Sequence, residues 1–195
     1  MGQQIEDGTG TKRRMKVTEG SRACTDSISR SQLEFACLTG NGYNMSTGSI
    51  TLTTAAESAV GYFQYTGDEI AIVKEIIVIL GDSTSGTGAG TIKILKNPTA
   101  GTIVSGAVNI DVASNRDFSS AKTVNGNLYK GATGSTLTDG STFAISSRTN
   151  FSLPISFDAA PLVLRKGNAI GITYTPPTGN TSQNIIVAGT IYIET

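Results

Sequence analysis

Histidine and tryptophan are absent from this sequence. Without histidine a serine nucleophile lacks its usual proton acceptor, and most zinc sites lose a ligand. Without tryptophan, and with aromatics at 6%, a sugar-stacking groove is disfavoured. Charge is scarce too: charged residues make up 15% of the chain, well below the usual quarter. Lys plus Arg is 15, Asp plus Glu is 15, and the net charge is zero. A balanced chain does not gather nucleic acid or an anionic membrane by its field, so neither is expected as a partner. No run approaches the length of a membrane-spanning helix. "MGQQIEDGTGTKRRMK" has no apolar core, so no secretory signal is expected there. Glu6 occupies the place where a myristoylation pattern needs Ser or Thr.

Cysteine is nearly absent. Cys24 and Cys37 have no zinc-type spacing and no histidine to complete a site. In a chain made in the cytosol they are expected as free thiols. The alternative is a disulfide, within one chain or between neighbours, formed outside the cell. No metal or other cofactor is expected.

What is present is small and polar. Glycine contributes 23 residues, and serine and threonine together outnumber it two to one. Threonine favours strands, while glycine and serine favour tight turns. Ile and Val arranged in strand-like runs argue against a disordered chain.

Residues 1–45 read as an extended arm. Lys12, Arg13, Arg14, Lys16, Arg22 and Arg30 lie in its first 30 residues with four acids, and apolar residues are sparse. Met15, Val17, Ile28, Leu33 and Phe35 give the arm something to bury on a neighbouring molecule. Leu33, Phe35 and Cys37 alternate, as in a short strand, although a brief helix also fits. Lys12-Arg13-Arg14-Met15-Lys16 is the one basic cluster. It reads as a solvated or protein-contacting patch before a phosphate-binding one.

Residues 46–195 read as a β-sandwich. "SITLT" (49–53) and "AVGYFQY" (59–65) alternate. "DEIAIVKEIIVIL" (68–80) alternates except at Lys74-Glu75 and has both faces apolar beyond them, which suits a central strand. "TIKILK" (91–96) places Ile92 and Ile94 inward. Asn125-Gly126 and Asp139-Gly140 predict two-residue hairpin turns, and Lys166-Gly167-Asn168 predicts another turn. "PISFD" (154–158), "PLVLRKGNAIGITYTPP" (161–177) and "NIIVAGTIYIET" (184–195) add further strands. The expected fold is all-β, a jelly-roll-like two-sheet sandwich. An immunoglobulin-like sandwich lacks its Cys…Trp…Cys core here.

Two motifs in "IIVILGDSTSGTGAGTIKIL" (76–95) invite chemistry. Gly81-Asp82-Ser83 has neither a histidine nor a strand–elbow–helix context. Gly86, Gly88 and Gly90 lead into a strand rather than a helix, so they make no phosphate loop. "SSAK" (119–122) lies in a polar loop without helical periodicity. The loops at 114–117 and 178–184 hold oxygen donors but no metal-ligand array. No catalytic residue is assigned and no enzymatic activity is expected. The connection after Leu80 reads as a long, flexible loop. Its length exceeds the roughly four to six residues usual for a connection, so it is expected at a contact with another subunit or protein, or at an exposed tip.

"GYNMSTGSITLTTAAESAVGYF" (42–63), "GDSTSGTGAGTIKILKNPTAGTIVSGA" (81–107), "NLYKGATGSTLTDGSTF" (127–143) and "LVLRKGNAIGITYTPPTGNTSQNIIVAGTIYIE" (162–194) resemble small virion structural proteins of tailed bacteriophages. The resemblance is strongest to head decoration (cement) proteins and extends loosely to "IEDGTGTKRRMKVTEGSR" (5–22). It implies a jelly-roll-like body, homotrimers, and attachment to the major capsid protein on the capsid surface. It also implies synthesis in the bacterial host cytoplasm, and no catalytic residues. Lys12, Arg13, Arg14, Met15, Lys16, Val17, Leu33 and Phe35 are the candidate partner-binding residues. The alternative is a tail, neck or baseplate component, or a host-binding head fibre knob.

Overall fold

The computed structural model of the chain describes residues 31–148, 152–156 and 161–194. Two antiparallel sheets pack face to face. Thirteen strands are assigned among the described residues: β1 (Gly42–Ser46), β2 (Ile50–Leu52), β3 (Ser58–Tyr65), β4 (Ile70–Leu80), β5 (Gly90–Lys96), β6 (Val108–Asn109), β7 (Val112–Asn115), β8 (Gly126–Lys130), β9 (Ser141–Arg148), β10 (Ser152–Ser156), β11 (Leu162–Leu164), β12 (Ala169–Thr175) and β13 (Gln183–Glu194). Two short helices, α1 (Gln32–Leu38) and α2 (Thr102–Ser105), accompany them.

The pairing identifies the topology. β1 and β2 both pair with β13, β3 with β12, β4 with β10 and β11, and β5 with β9. Partners therefore run from the ends of the sequence inward, as in one long hairpin. That hairpin is folded over itself when β13 joins β4 and β12 joins β5. The sheets read β10-β4-β13-β1-β7 and β6-β8-β3-β12-β5-β9. Without β6, β7 and β8 this is a jelly roll. Those three strands belong to an insertion between β5 and β9. It adds β7 beside β1 in the first sheet, and β8 with β6 beside β3 in the second.

The alternating runs supply the interior. Ile50, Leu52, Val60, Tyr65, Val73, Val78, Ile92, Ile94, Tyr174, Ile185 and Ile191 are all buried in one cluster. Each large side chain withdrawn this way contributes about 1.5–3 kcal/mol. The break at Lys74-Glu75 is a β-bulge: Thr190 faces Glu75 while Ile191 faces Val73, so Lys74 is the extra residue. The bulge moves the inward positions from Ala71 and Val73 to Ile76, Val78 and Leu80. Both faces of β4 are used because α1 covers its outer side. There Ala36 packs with Ile72 and Tyr192. On the second sheet α2 does the same, with Ile103 set against Ala59, Tyr62 and Ala169.

Three sequence expectations change. Asn125-Gly126 is no hairpin turn: residues 121–125 form no strand, and Gly126 opens β8, whose partners are β3 and β6. Glycine is required there because a Cβ would lie 2.6 Å from Phe63 Cε2 and 2.8 Å from the Gln64 carbonyl oxygen. Asp139-Gly140 does turn the chain, with Gly140 at φ +94. It leads into β9 but does not join two adjacent strands, since residues 135–138 are not a strand. The sandwich also begins earlier than position 46. Residues 32–38 form α1, residues 42–46 form β1, and Gln32–Thr195 is one compact unit. Residues 1–30 of the expected arm lie outside the described residues.

Candidate interaction surface

The connection after Leu80 passes from the first sheet to the second at one end of the sandwich. It is held by residues 177–184. Thr84 N–H donates to Ser182 O (2.8 Å), Thr181 N–H to Thr84 O (3.0 Å) and Thr87 N–H to Thr178 O (3.0 Å). Ser83 Oγ donates to Asn180 Oδ1 (2.6 Å), so its proton faces an amide oxygen and no base. Beneath the loop runs a buried polar chain. Tyr174 OH donates to Gln183 Oε1 (3.0 Å), and Gln183 Nε2 to Gly81 O (2.9 Å). Asn180 Nδ2 donates to Leu52 O and Thr54 O. The expected flexible connection is therefore a pinned apex, with Thr, Ser and Gly outward. The fastening strands are separated by almost a hundred residues, and no local pattern announces it.

A second feature lies at the side of the first sheet, where α1 turns into β1. Asn115 Nδ2 donates to Gly40 O (2.8 Å) and Lys122 O (3.2 Å). Lys122 Nζ donates to Thr39 O (2.9 Å) and Asn41 Oδ1 (3.0 Å). Asn115 Oδ1 accepts from Asp117 N–H, and Asp117 Oδ1 from Ser119 N–H, both at 2.9 Å. These bonds fasten the loop 116–122 to the end of α1. Apolar side chains nevertheless point outward from this corner: Phe118 is 100% exposed, Phe35 55% and Leu38 57%. Val108 and Val112, on the same insertion as Phe118, are also exposed.

The predicted site residues separate here. Leu33 packs against the Ala36, Ile72 and Tyr192 cluster, whereas Phe35 faces out. Cys37 is half-buried, has no disulfide partner among the described residues, and is seated over Gly42, where a Cβ would come within 2.7 Å of its sulfur. Lys12, Arg13, Arg14, Met15, Lys16, Val17 and Cys24 lie outside the described residues. Phe118 and Leu38 were not singled out in the sequence. A lone aromatic in a polar loop carries no periodic signal.

The ionisable groups serve packing. Glu57 accepts from Lys93 Nζ (2.7 Å) and Thr173 Oγ1 (2.6 Å). Burial alone would raise its pKa, but the two hydrogen bonds and the lysine charge outweigh it and hold the carboxyl below its ordinary value. Burial, with the nearby Glu69 carboxylate, pushes Tyr65 up to about 12. Asp111 pairs with Lys130, and Asp68 with Lys166. Among the described residues no three His, Cys, Asp or Glu side chains cluster as metal ligands. In the loops with oxygen donors, Asn115 and Asn180 spend their amides on backbone carbonyls. No described helix is long and apolar enough to cross a membrane.

No protein-family model and no curated protein matches the chain. Among solved structures, one of infectious bursal disease virus strain Gx aligns at TM-score 0.17 and 9% identity over 78% of this chain. A VP2 subviral particle of the same virus aligns at TM-score 0.13 and 5% identity over 80%. The chain spans about 40% of the length of these proteins. At such scores the likeness carries no weight, and the fold assignment rests on this chain's own strand order.

Proposed function

We propose that this protein is a non-enzymatic structural component of a tailed-phage virion, a decoration protein that binds the outer capsid surface and stabilises the head. Its partners in this reading are the major capsid protein and further copies of itself in a homotrimer. The observation that carries the reading is the corner at Gly40, where Phe118, Phe35 and Leu38 are exposed on a hydrogen-bonded frame. The resemblance of residues 42–194 to decoration proteins points the same way. A surface of Ser, Thr and Gly also loses little side-chain entropy on being packed, and zero net charge lets many copies crowd without repulsion.

Add-back to capsids that lack the protein tests the reading. The wild type is expected to sediment with such particles and raise their thermal disruption temperature. Phe118→Ser with Leu38→Ser is expected to lose retention at unchanged monomer stability; full retention by that variant would remove the corner from the interface. Deleting residues 1–30 is expected to weaken retention as well, and an unaffected deletion would end the arm's role. The second reading, a host-binding knob, is favoured by the pinned hydroxyl-rich apex. A copy number of a handful per particle, in place of hundreds, would select it.

A further inference from the structure

The chain contains two Asn-Gly pairs in opposite environments. Asn41 is 7% exposed. Its Oδ1 accepts from Lys122 Nζ (3.0 Å) and its Nδ2 donates to Thr39 Oγ1 (3.4 Å). Its backbone N–H and carbonyl are both bonded, to Ala36 O (2.7 Å) and from Ile193 N–H (2.9 Å). Asn125 is exposed, and its side-chain amide makes no hydrogen bond among the described residues. Only its carbonyl is engaged, by Thr66 N–H (3.1 Å).

The next nitrogen is open as well. Thr66 and Asn125 form a hydrogen-bonded position of the β3–β8 ladder, so the neighbouring pair Tyr65 and Gly126 is a non-bonded one. The Gly126 N–H therefore points away from β3. On that side β6 reaches only Tyr129 and Lys130. Residue 126 has no side chain to shield its nitrogen, and the contacts with Phe63 and Gln64 forbid one.

We propose that Asn125 is a site of spontaneous, conformation-gated deamidation, and that Asn41 is protected from the same reaction. The Gly126 amide nitrogen gives its proton to solvent base and attacks Asn125 Cγ. The N–Cγ bond forms, the Cγ–Nδ2 bond breaks, and ammonia leaves. Water then opens the succinimide at either carbonyl, giving aspartate or isoaspartate. Each converted copy gains one negative charge on a surface that starts neutral. The isoaspartate form also inserts a methylene into the backbone at the mouth of β8, where the Thr66 bond sits.

The test is peptide mapping by mass spectrometry, with isoaspartate detection, of the purified full chain held in mildly alkaline buffer. Native protein is expected to convert Asn125 faster than Asn41 by roughly an order of magnitude or more, because the buried pair must first open locally. In urea the two rates should converge, since both pairs are then unprotected. Equal native rates, with both pairs reactive in urea, would overturn the proposal. Asn125→Gln supplies the second arm. Its acidic band on isoelectric focusing should grow far more slowly than the wild type's, and growth at the wild-type rate would also refute the assignment.

Discussion

Gly61 borders a largely apolar pocket of about 60 Å³, with Phe63, Val73, Leu128 and Val187 also in its wall. A Cβ on Gly61 would sit 3.5 Å from Ile172 Cδ1 and 3.6 Å from Val187 Cγ1, ordinary contact distances. Gly61→Ala should therefore stabilise the protein, by about 0.5–1 kcal/mol, mainly by restricting the unfolded chain. Urea unfolding checks the sign. Gly90 predicts the opposite. Its Cβ would come within 2.1 Å of the Tyr174 hydroxyl, which is bonded to Gln183. Tyr174→Phe isolates the cost of that bond: Gln183 Oε1 is left unpaired in the interior, for a loss of about 1–3 kcal/mol. Differential unfolding of the two proteins measures it.

At the scale of elements, the interior was written in the sequence and the insertion was not. Period-two runs named β2, β3, β4, β5, β12 and β13, and the interruption at Lys74-Glu75 marked the bulge in β4. The turn signals misled because Asn-Gly reports a tolerated backbone and does not name a partner. The partners of β8 come from β3, more than sixty residues upstream, and no local pattern records that. Leu33 and Phe35 share a face on a strand, but two residues along a helix they point to nearly opposite sides. Helix α1 accordingly divides two residues expected to work together. Asp139 shows what the turn signal did carry. Its carboxylate accepts from Thr99 Oγ1, Thr99 N–H and Ala100 N–H, tying the exit of β5 to the entrance of β9. The Thr99 hydroxyl and these backbone donors hold it below its ordinary value of 3.8. A carboxyl lowered in the folded state contributes stability above its unfolded pKa and loses it as pH falls through the folded one. Tm should therefore drop as pH falls below about 4, and Asp139→Asn should be less stable at neutral pH with a shallower acid slope. A Tm–pH series on both proteins checks this.

For the whole molecule, the first sheet depends on β13. That strand lies between β4 on one side and β1 and β2 on the other. Removing residues 183–195 would take the middle out of the sheet and strip partners from β1, β2 and β4 together. The truncated chain is expected to lose cooperative unfolding and β-type circular dichroism altogether, whereas deletion of residues 1–30 should leave both intact. Partner choice was not legible in the sequence at this scale. Exposed side chains such as Phe118 become a surface only when remote loops are brought beside α1.

The pairing of β1 with β13 has a consequence for how the chain is made. β1 waits for its partner β13, and the first sheet cannot close before β13 has been made. Contacts of such long sequence separation fold slowly. Meanwhile Ile70–Leu80, the most apolar segment, stays without its central neighbour. Growth temperature and chaperone supply, more than the stability of the finished sandwich, should therefore govern the yield of soluble protein.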